Sequence, residues 1–319
     1  MLMIAPDSIK TKIFLNQKNL ARKLVRRAAT RDMLAEALGF VVDWVGESVW
    51  LNPLTLQGGL ACLGAQICLW IFFAYVLPPG PWRTEPGFTA HQVVCLPLLI
   101  YLTSVGWQTW LLPTAADSAA SSTPVSRVLA MHPTGEKLAQ VVMGAMLFWD
   151  IPCGLLIRSL REPIMLLHHV GMAYVAQAAL WPIYCYYGVF FFGFIEVSGL
   201  PLVVVDLFHP KHAEWNALEQ RVPLLSTINS AARLTFAFAF MLVRFCYFPY
   251  VVVAVAMPDM YEALALPLDS DQRRGMSDAA LWGVCLCGLL FSVLQWYWGL
   301  LIMGQARKML RGGDKVKEH

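Results

Sequence analysis

The chain has 319 residues, 58% of them hydrophobic and 14% charged, with a formal net charge of +3. A soluble domain carries about 25% charged residues, so this composition argues against one, and several apolar windows reach the roughly 20 residues that cross a bilayer as a helix. Strict alternation of the barrel type is absent, so the spanning elements are helices, which satisfy their own backbone groups in lipid.

Residues 1 to about 50 differ from the rest. Between Ser8 and Arg31 lie Lys10, Lys12, Lys18, Arg22, Lys23, Arg26, Arg27 and Arg31 and no acid. Such an arm suits an anionic membrane surface, and it also resembles a mitochondrial presequence. The stretch from Asp32 to Leu51, with Asp32, Glu36, Asp43 and Glu47 among apolar residues, reads as an interfacial helix leading to Asn52-Pro53. Apolar segments follow at about 54–77, 91–112, 138–157, 164–181, 183–207, 230–256 and 280–303. Pro78-Pro79-Gly80-Pro81 ends the first, because proline cannot continue a helix interior. Pro182 separates the fourth from the fifth and predicts a tight helical hairpin. The Ala/Ser/Thr stretch 114–126 reads as a flexible loop.

Loop charge orients the chain. The tail carries Arg307, Lys308, Arg311, Lys315 and Lys317 and belongs in the cytosol, as does the loop with Arg158 and Arg161. The loop 257–279, rich in Asp and Glu, fits the lumen. Seven spans then place the basic N-terminus in the lumen against the same rule; an eighth partial span within 33–51, or one span fewer, would restore it. Lys315 and Lys317, fifth and third from the end, match a dilysine retrieval signal of endoplasmic reticulum membrane proteins. The expected localisation is the endoplasmic reticulum or another endomembrane, multi-pass with a cytosolic C-terminus; a mitochondrial membrane is the runner-up.

The eight cysteines form no C-x-x-C pair and sit mostly in apolar windows, so they read as small buried hydrophobes without a disulfide framework or zinc site. His132, His209 and His212 fall in loops, the last two in a His-Pro-Lys-His turn read as solvated and interfacial. There is no P-loop, G-x-G-x-x-G, H-E-x-x-H or G-x-S-x-G. Nucleic-acid binding is not expected, because the basic arm lacks aromatic interleaving and adjoins a membrane domain.

Polar residues inside apolar sequence carry the functional reading, since an ionisable group at membrane depth faces a cavity or a partner. His168 and His169 lie in EPIMLLHHVGMAYVAQAAL, and Glu196 and Ser198 in FFFGFIEVSGLPLVVVDLF. Successive helical residues point about 100° apart, so the two histidines cannot aim at one point; one contacts substrate or lipid while the other packs or bonds a neighbouring helix, or both are satisfied bridges between helices. Arg233 and Arg244, eleven residues apart, share a face within about 20° in an ideal helix. Arg233 has Glu196 or Asp206 as candidate partners, or a lipid phosphate or carboxylate; Arg244 either meets a headgroup or snorkels. Asp150 stands near a span end, as a solvated cap or as part of a site.

Asp150 in MLFWDIPCGLL, the basic Arg161-Glu162-Pro163 loop before His168-His169, the element Glu196-Val197-Ser198-Gly199-Leu200-Pro201 and the aromatic, arginine-bearing RLTFAFAFMLVRFCYFPY occur in the order seen in one family. Over about 91 to 303 the chain resembles the TLC domain family, the membrane domain shared by ceramide synthases, translocating-chain-associating membrane proteins and lipid-regulating relatives. The resemblance implies an all-α polytopic membrane protein of about seven transmembrane helices, six of them forming a ring around a lipid-accessible cavity. The expected divisions are a basic arm and interfacial helix (1–53), an extra span and loop (54–90), the six-helix domain (91–303) and a basic cytosolic tail (304–319). In ceramide synthases the histidine pair is taken as catalytic in acyl transfer to a long-chain amine, and a His-Asp motif follows it. Here Glu196-Val197-Ser198 stands in that region, as in the non-synthase branch.

The resulting expectation is an endomembrane protein that binds a lipid or acyl chain and influences lipid composition, with Asp150, His168, His169, Glu196, Ser198, Arg233 and Arg244 as lipid-binding candidates. The alternative is an N-acyltransferase with His168 or His169 as base and acyl-CoA as co-substrate; otherwise no cofactor and no metal is expected. A second alternative is a cargo or translocation adaptor. The partners are the bilayer and a membrane lipid or fatty acyl chain, with a homo-oligomer left open.

Overall fold

The computed structural model describes residues 52–316, with side chains through Lys308. The basic arm, the interfacial helix and the dilysine pair of the tail therefore lie outside the described side chains. Among the described residues there is no strand, and seven helices are long and apolar enough to cross a membrane. They are α1 (Pro53–Val76), α2 (Pro86–Leu111), α3 (Pro124–Leu156), α4 (Pro163–Leu180), α5 (Cys185–Leu207), α6 (Pro223–Leu264) and α7 (Asp278–Lys308). The chain is an all-α polytopic membrane protein.

Proline sets many of these boundaries. Helices α1, α2, α3, α4 and α6 all begin with it, the first helical position being where a missing N–H costs nothing and the fixed φ suits the helix. Asn52 completes the start of α1 by accepting from the Leu54 and Thr55 amides. Three interior prolines act differently. Wide i→i+5 turns cover Met146–Asp150, Phe240–Tyr247 and Val251–Ala256. Each ends two residues before a proline: Pro152, Pro249 and Pro258. A mid-helix proline takes away an amide donor and crowds the carbonyl four residues back, and an extra residue per turn accommodates both.

Two stretches differ from expectation. The segment 114–126 is not a plain loop: short helices Ala115–Ala120 and Pro124–Leu129 form there, each closed by a capping box, Thr114 with Asp117 and Thr123 with Ser126. The acidic loop expected from 257 begins later, because helix continues through Met257–Leu264. Its Asp259 accepts a bidentate contact from Arg127 at 2.5 and 2.7 Å and a hydrogen bond from the Tyr187 hydroxyl, tying α3, α5 and α6 together at one end of the bundle. The hairpin predicted at Pro182 is present; Tyr184 turns the chain with a positive φ of 58° while its amide donates to the Val128 carbonyl.

Helix α2 packs on α5, α5 on α6, α6 on α7, α7 on α4 and α4 on α3, and α3 meets α2 and α5 again. This circuit of six leaves α1 outside it, against α2 and α3. Helices α1 and α3 approach through facing glycines: a Cβ on Gly144 would stand 2.1 Å from the Thr55 carbonyl oxygen, and one on Gly59 2.5 Å from that of Gly144. Small residues at such crossings let backbones close in where lipid supplies no hydrophobic drive between helices. Outward positions such as Leu167, Leu234, Phe238 and Leu290 are exposed and apolar, as a surface facing lipid requires.

Candidate functional site

The strongest polar cluster forms because three helices bring acceptor and donors to one depth. His91 is five residues into α2, His169 six residues into α4, and Asp150 six residues from the end of α3. At 1.5 Å per residue each lies about 7–9 Å inside the same end of the bundle. His91 Nε2 is 2.9 Å from Asp150 Oδ1 and His169 Nδ1 is 3.2 Å from Asp150 Oδ2. Asp150 is thus no solvated cap: it is buried, and its two oxygens face histidines from two other helices.

The chemistry of the acceptor assigns the protons. A carboxylate only accepts, so the facing nitrogens are N–H in both rings. The other nitrogen of His91, Nδ1, lies 3.5 Å from the Cys95 sulfur. In His169 the same logic turns the lone pair of Nε2 away from Asp150, and that ring keeps a side-chain exposure of 20%. The surroundings hold His91 firmly. Its ring stacks on Trp149 with centroids 4.7 Å apart; the Trp149 indole donates to Gln66 Oε1 at 3.2 Å, and Gln66 Nε2 donates to the Gly87 carbonyl at 2.9 Å. Val94, Ala145, Trp149 and Cys153 form the apolar cluster around the pair. The nitrogens aim at the carboxylate rather than at a shared point, and among the described residues no group of three His, Cys, Asp or Glu is arranged to hold a metal ion.

His168 goes elsewhere, as the 100° step from His169 dictates. Its ring meets the edges of Phe291 and Trp298 on α7 at 5.1 and 5.6 Å. It lines a narrow cavity of about 30 Å³ between α4, α5, α6 and α7, with Met172, Val175, Phe191, Ile195, Phe248 and Phe291 among the walls. Its Nδ1 is buried without a hydrogen-bond partner.

A third group sits deeper. Arg244 donates from Nε to Ser198 Oγ at 2.7 Å and from Nη2 to Glu196 Oε2 at 3.0 Å, and Ser198 passes its own proton to the Ile195 carbonyl at 3.1 Å. Arg244 is buried and does not snorkel. Glu196, for which Arg233 was a candidate partner, is taken by Arg244. Asp206, the other candidate, receives Gln92 Nε2 at 2.8 Å and lies 3.2 Å from Lys211 Nζ. Arg233 donates instead to Asn229 Oδ1 at 3.3 Å, and Asn229 in turn to Glu219. The common face expected for the two arginines assumed an ideal helix; the wide turn from Phe240 intervenes before Arg244 and shifts its phase.

Of the sequence candidates, then, Asp150 joins His169, and Glu196 joins Ser198 and Arg244. His168 looks into the cavity, and Arg233 stands apart. Two loop histidines are buried, His212 against the solvated reading of its turn. His212 is buried, stacked on Phe88 at 3.7 Å with Nδ1 2.5 Å from Glu85 Oε2. His132 is buried as the cap of Pro133–Ala145, accepting from the Gly135 amide at 3.1 Å. Its other nitrogen lies 3.5 Å from Asp117. Burial alone would raise the Asp117 carboxyl, yet hydrogen bonds from Thr114 and Thr134 outweigh it and hold it below its ordinary value.

His91 is the site residue that sequence reading missed. It stands in PGFTAHQVVCLPLL, an ionisable residue entering an apolar run, which is the same signal that drew attention to His168 and His169. It falls at the predicted edge of a span, where polar residues are ordinary.

The family model of the TLC domain matches residues 67–304, more than half of the chain. The chain belongs to the TLC domain family. Comparison with curated proteins and with solved structures finds no match for it. The matched region begins within α1 rather than at the expected 91, and it contains the Asp150 bridge, the cavity and the Arg244 group. The TLC domain makes this a lipid-related membrane protein at the level of the family.

Proposed function

We propose that this TLC-domain protein binds a lipid or acyl chain in the cavity between α4 and α7, and through that binding influences the lipid composition of an endomembrane. The observation that carries the reading is the lining of the cavity: apolar walls from four helices, with His168 and Gln295 as its two polar side chains. Apolar walls with few polar groups are the common form of a small-molecule site, and in a bilayer the molecules at hand are lipids. Basic Arg158, Arg161, Arg307 and Lys308 on one side support a cytosolic C-terminus. The test is mass spectrometry of lipid that co-purifies with the full chain, beside Val175→Phe, which fills the lumen. A specific lipid enriched over bulk and lowered by at least half in the variant is the expected result; equal recovery from both proteins overturns it.

One observation favours catalysis as a second reading. Asp150 Oδ2 lies 3.2 Å from His169 Nδ1 on an imidazole whose side chain is 20% exposed, the relation of an orienting carboxylate to a general base. In an acyl transfer from acyl-CoA, His169 Nε2 would take the amine proton as the amine nitrogen bonds the thioester carbonyl carbon and the C–S bond breaks; the proton leaves on the CoA thiol. Amide formation by purified protein, lost in His169→Ala and reduced in Asp150→Asn, is expected on this reading. The absence of product across acyl-CoA lengths and long-chain amines would exclude it.

A further inference from the structure

A second, wider cavity of about 220 Å³ opens at the end of the bundle opposite the Asp150 bridge. Thr109 and Trp110 reach it from the last turn of α2, and Tyr186 from the first turn of α5. Ser118 comes from the short helix Ala115–Ala120, Ser121 from its C-cap and His132 from the N-cap of Pro133–Ala145. The 26 residues of α2 run about 39 Å, past the roughly 30 Å of hydrocarbon, so its last turn stands at the level of lipid headgroups. Buried Asp117 holds this wall together. It accepts from the Thr114 hydroxyl at 2.7 Å and from the Thr134 hydroxyl at 2.9 Å, which fastens the short helix to α3. His132 Nδ1 accepts from the Gly135 amide at 3.1 Å while Nε2 faces Asp117 at 3.5 Å. A ring that accepts at one nitrogen is a neutral imidazole.

The lining defines what fits. The hydroxyls of Thr109, Ser118 and Tyr186 make no hydrogen bond among the described residues. Ser121 donates to the Asp117 carbonyl at 2.8 Å and keeps its lone pairs. A hydroxyl both donates and accepts, so such a wall matches a ligand whose own groups do both. The other wall is aromatic: the Tyr186 ring stands 5.5 Å from Trp110 and 5.4 Å from His132. Among the described residues no carboxylate, ammonium or guanidinium lines the cavity, and a charged ligand group would find no counter-ion there. A volume of 220 Å³ equals that of about seven liquid waters, which suits one substituted six-membered ring. We infer that this cavity binds a single neutral polyhydroxy ring, a hexose. Its hydroxyls pair with Thr109, Ser118, Ser121 and Tyr186, and its C–H edge, slightly positive, meets the negative ring faces of the aromatic wall. An opening at headgroup level admits the hexose from two sources, a free sugar or the headgroup of a glycolipid. The site is separate from the cavity between α4 and α7 and does not depend on it.

The test places the full chain in nanodiscs made without glycoside detergent. Two photoreactive lipids of equal chain length serve as probes, one with a glucosyl headgroup and one with phosphocholine. The glucosyl probe is expected to crosslink the peptides that line the cavity about fivefold or more above the phosphocholine probe. The double variant Thr109→Val, Tyr186→Phe removes two hydroxyls, keeps both shapes and breaks no hydrogen bond within the protein. It is expected to lose glucosyl labelling by about fivefold or more, the worth of two neutral hydrogen bonds, with an unchanged thermal midpoint. Excess soluble methyl glucoside separates the sources. Suppressed labelling shows that the free ring is recognised, and resistant labelling assigns the site to a glycolipid headgroup; both support the inference. Equal labelling by the two probes, undiminished glucosyl labelling in the double variant, or no labelling at the cavity overturns it. Stronger labelling by the phosphocholine probe also overturns it, with the three rings then holding a cation.

Discussion

Asp150→Ala removes the acceptor that two helices share, and a double-mutant cycle with His91 isolates what that sharing contributes. The bond from His91 is 2.9 Å long and lies in a buried, apolar setting beside Trp149. Interhelical hydrogen bonds in membrane proteins average about 0.6 kcal/mol and reach about 1.7 kcal/mol, and an ionised partner roughly doubles a bond's strength. The expected His91–Asp150 coupling is therefore about 1–2 kcal/mol. The His169–Asp150 coupling should be smaller, because the contact is 3.2 Å and the imidazole is 20% exposed. Asp150→Ala alone, losing both contacts, should cost about 2–3 kcal/mol. Equilibrium unfolding of wild type, His91→Ala, Asp150→Ala and the double variant by dodecyl sulfate titration in mixed micelles yields the cycle directly. A coupling within about 0.5 kcal/mol of zero, the scatter of independent sites, would show that the bridge is geometric coincidence, and the depth argument for the site would fail with it.

Gly144→Ala drives a methyl against the Thr55 carbonyl oxygen at 2.1 Å and should destabilise the fold by about 1–3 kcal/mol. Gly64→Ala on α1, with nothing within 4 Å, should leave the thermal midpoint unchanged or slightly raised; equal melting of the two variants would refute the close crossing. Arg244→Met strands Glu196 inside the bundle and should cost about 3–5 kcal/mol. Adding Glu196→Leu should recover most of it in the same titration, and a double variant no better than the single would count against the pair. At the far end of the bundle, Asp117 is held below its ordinary value of 3.8. A depressed carboxylate contributes stability in full above that value and loses it as pH falls through the folded value. Thr134→Val removes a hydrogen bond at 2.9 Å, so the acid limb of stability should move to higher pH; an unmoved limb would refute the assignment.

Much of the architecture was legible because bilayer physics acts on composition. Seven apolar windows, prolines at helix starts and the Pro182 hairpin follow from hydropathy and from the geometry of a residue without an N–H. The helical turns within 115–129 were not read as such, since a capping box of Thr and Asp looks in sequence like any polar loop. The divergence of His168 and His169 followed from helical pitch alone. The partner of Glu196 did not, because the pitch itself changes between Arg233 and Arg244, where Pro249 widens the preceding turns.

What the sequence determined by itself is the solvent, the element type and the list of polar residues that need an explanation at membrane depth. Each is a property of a residue and its near neighbours, and so it survives the loss of the third dimension. Which of those residues meet was decided only by the packing of helices. His91, Asp150 and His169 are 59 and 19 residues apart along the chain and share one depth because three separate helices enter the bundle at comparable levels. Gln295 is unremarkable in FSVLQWYWG, and only the packing of the helices buries it to 1% exposure with its oxygen unpartnered.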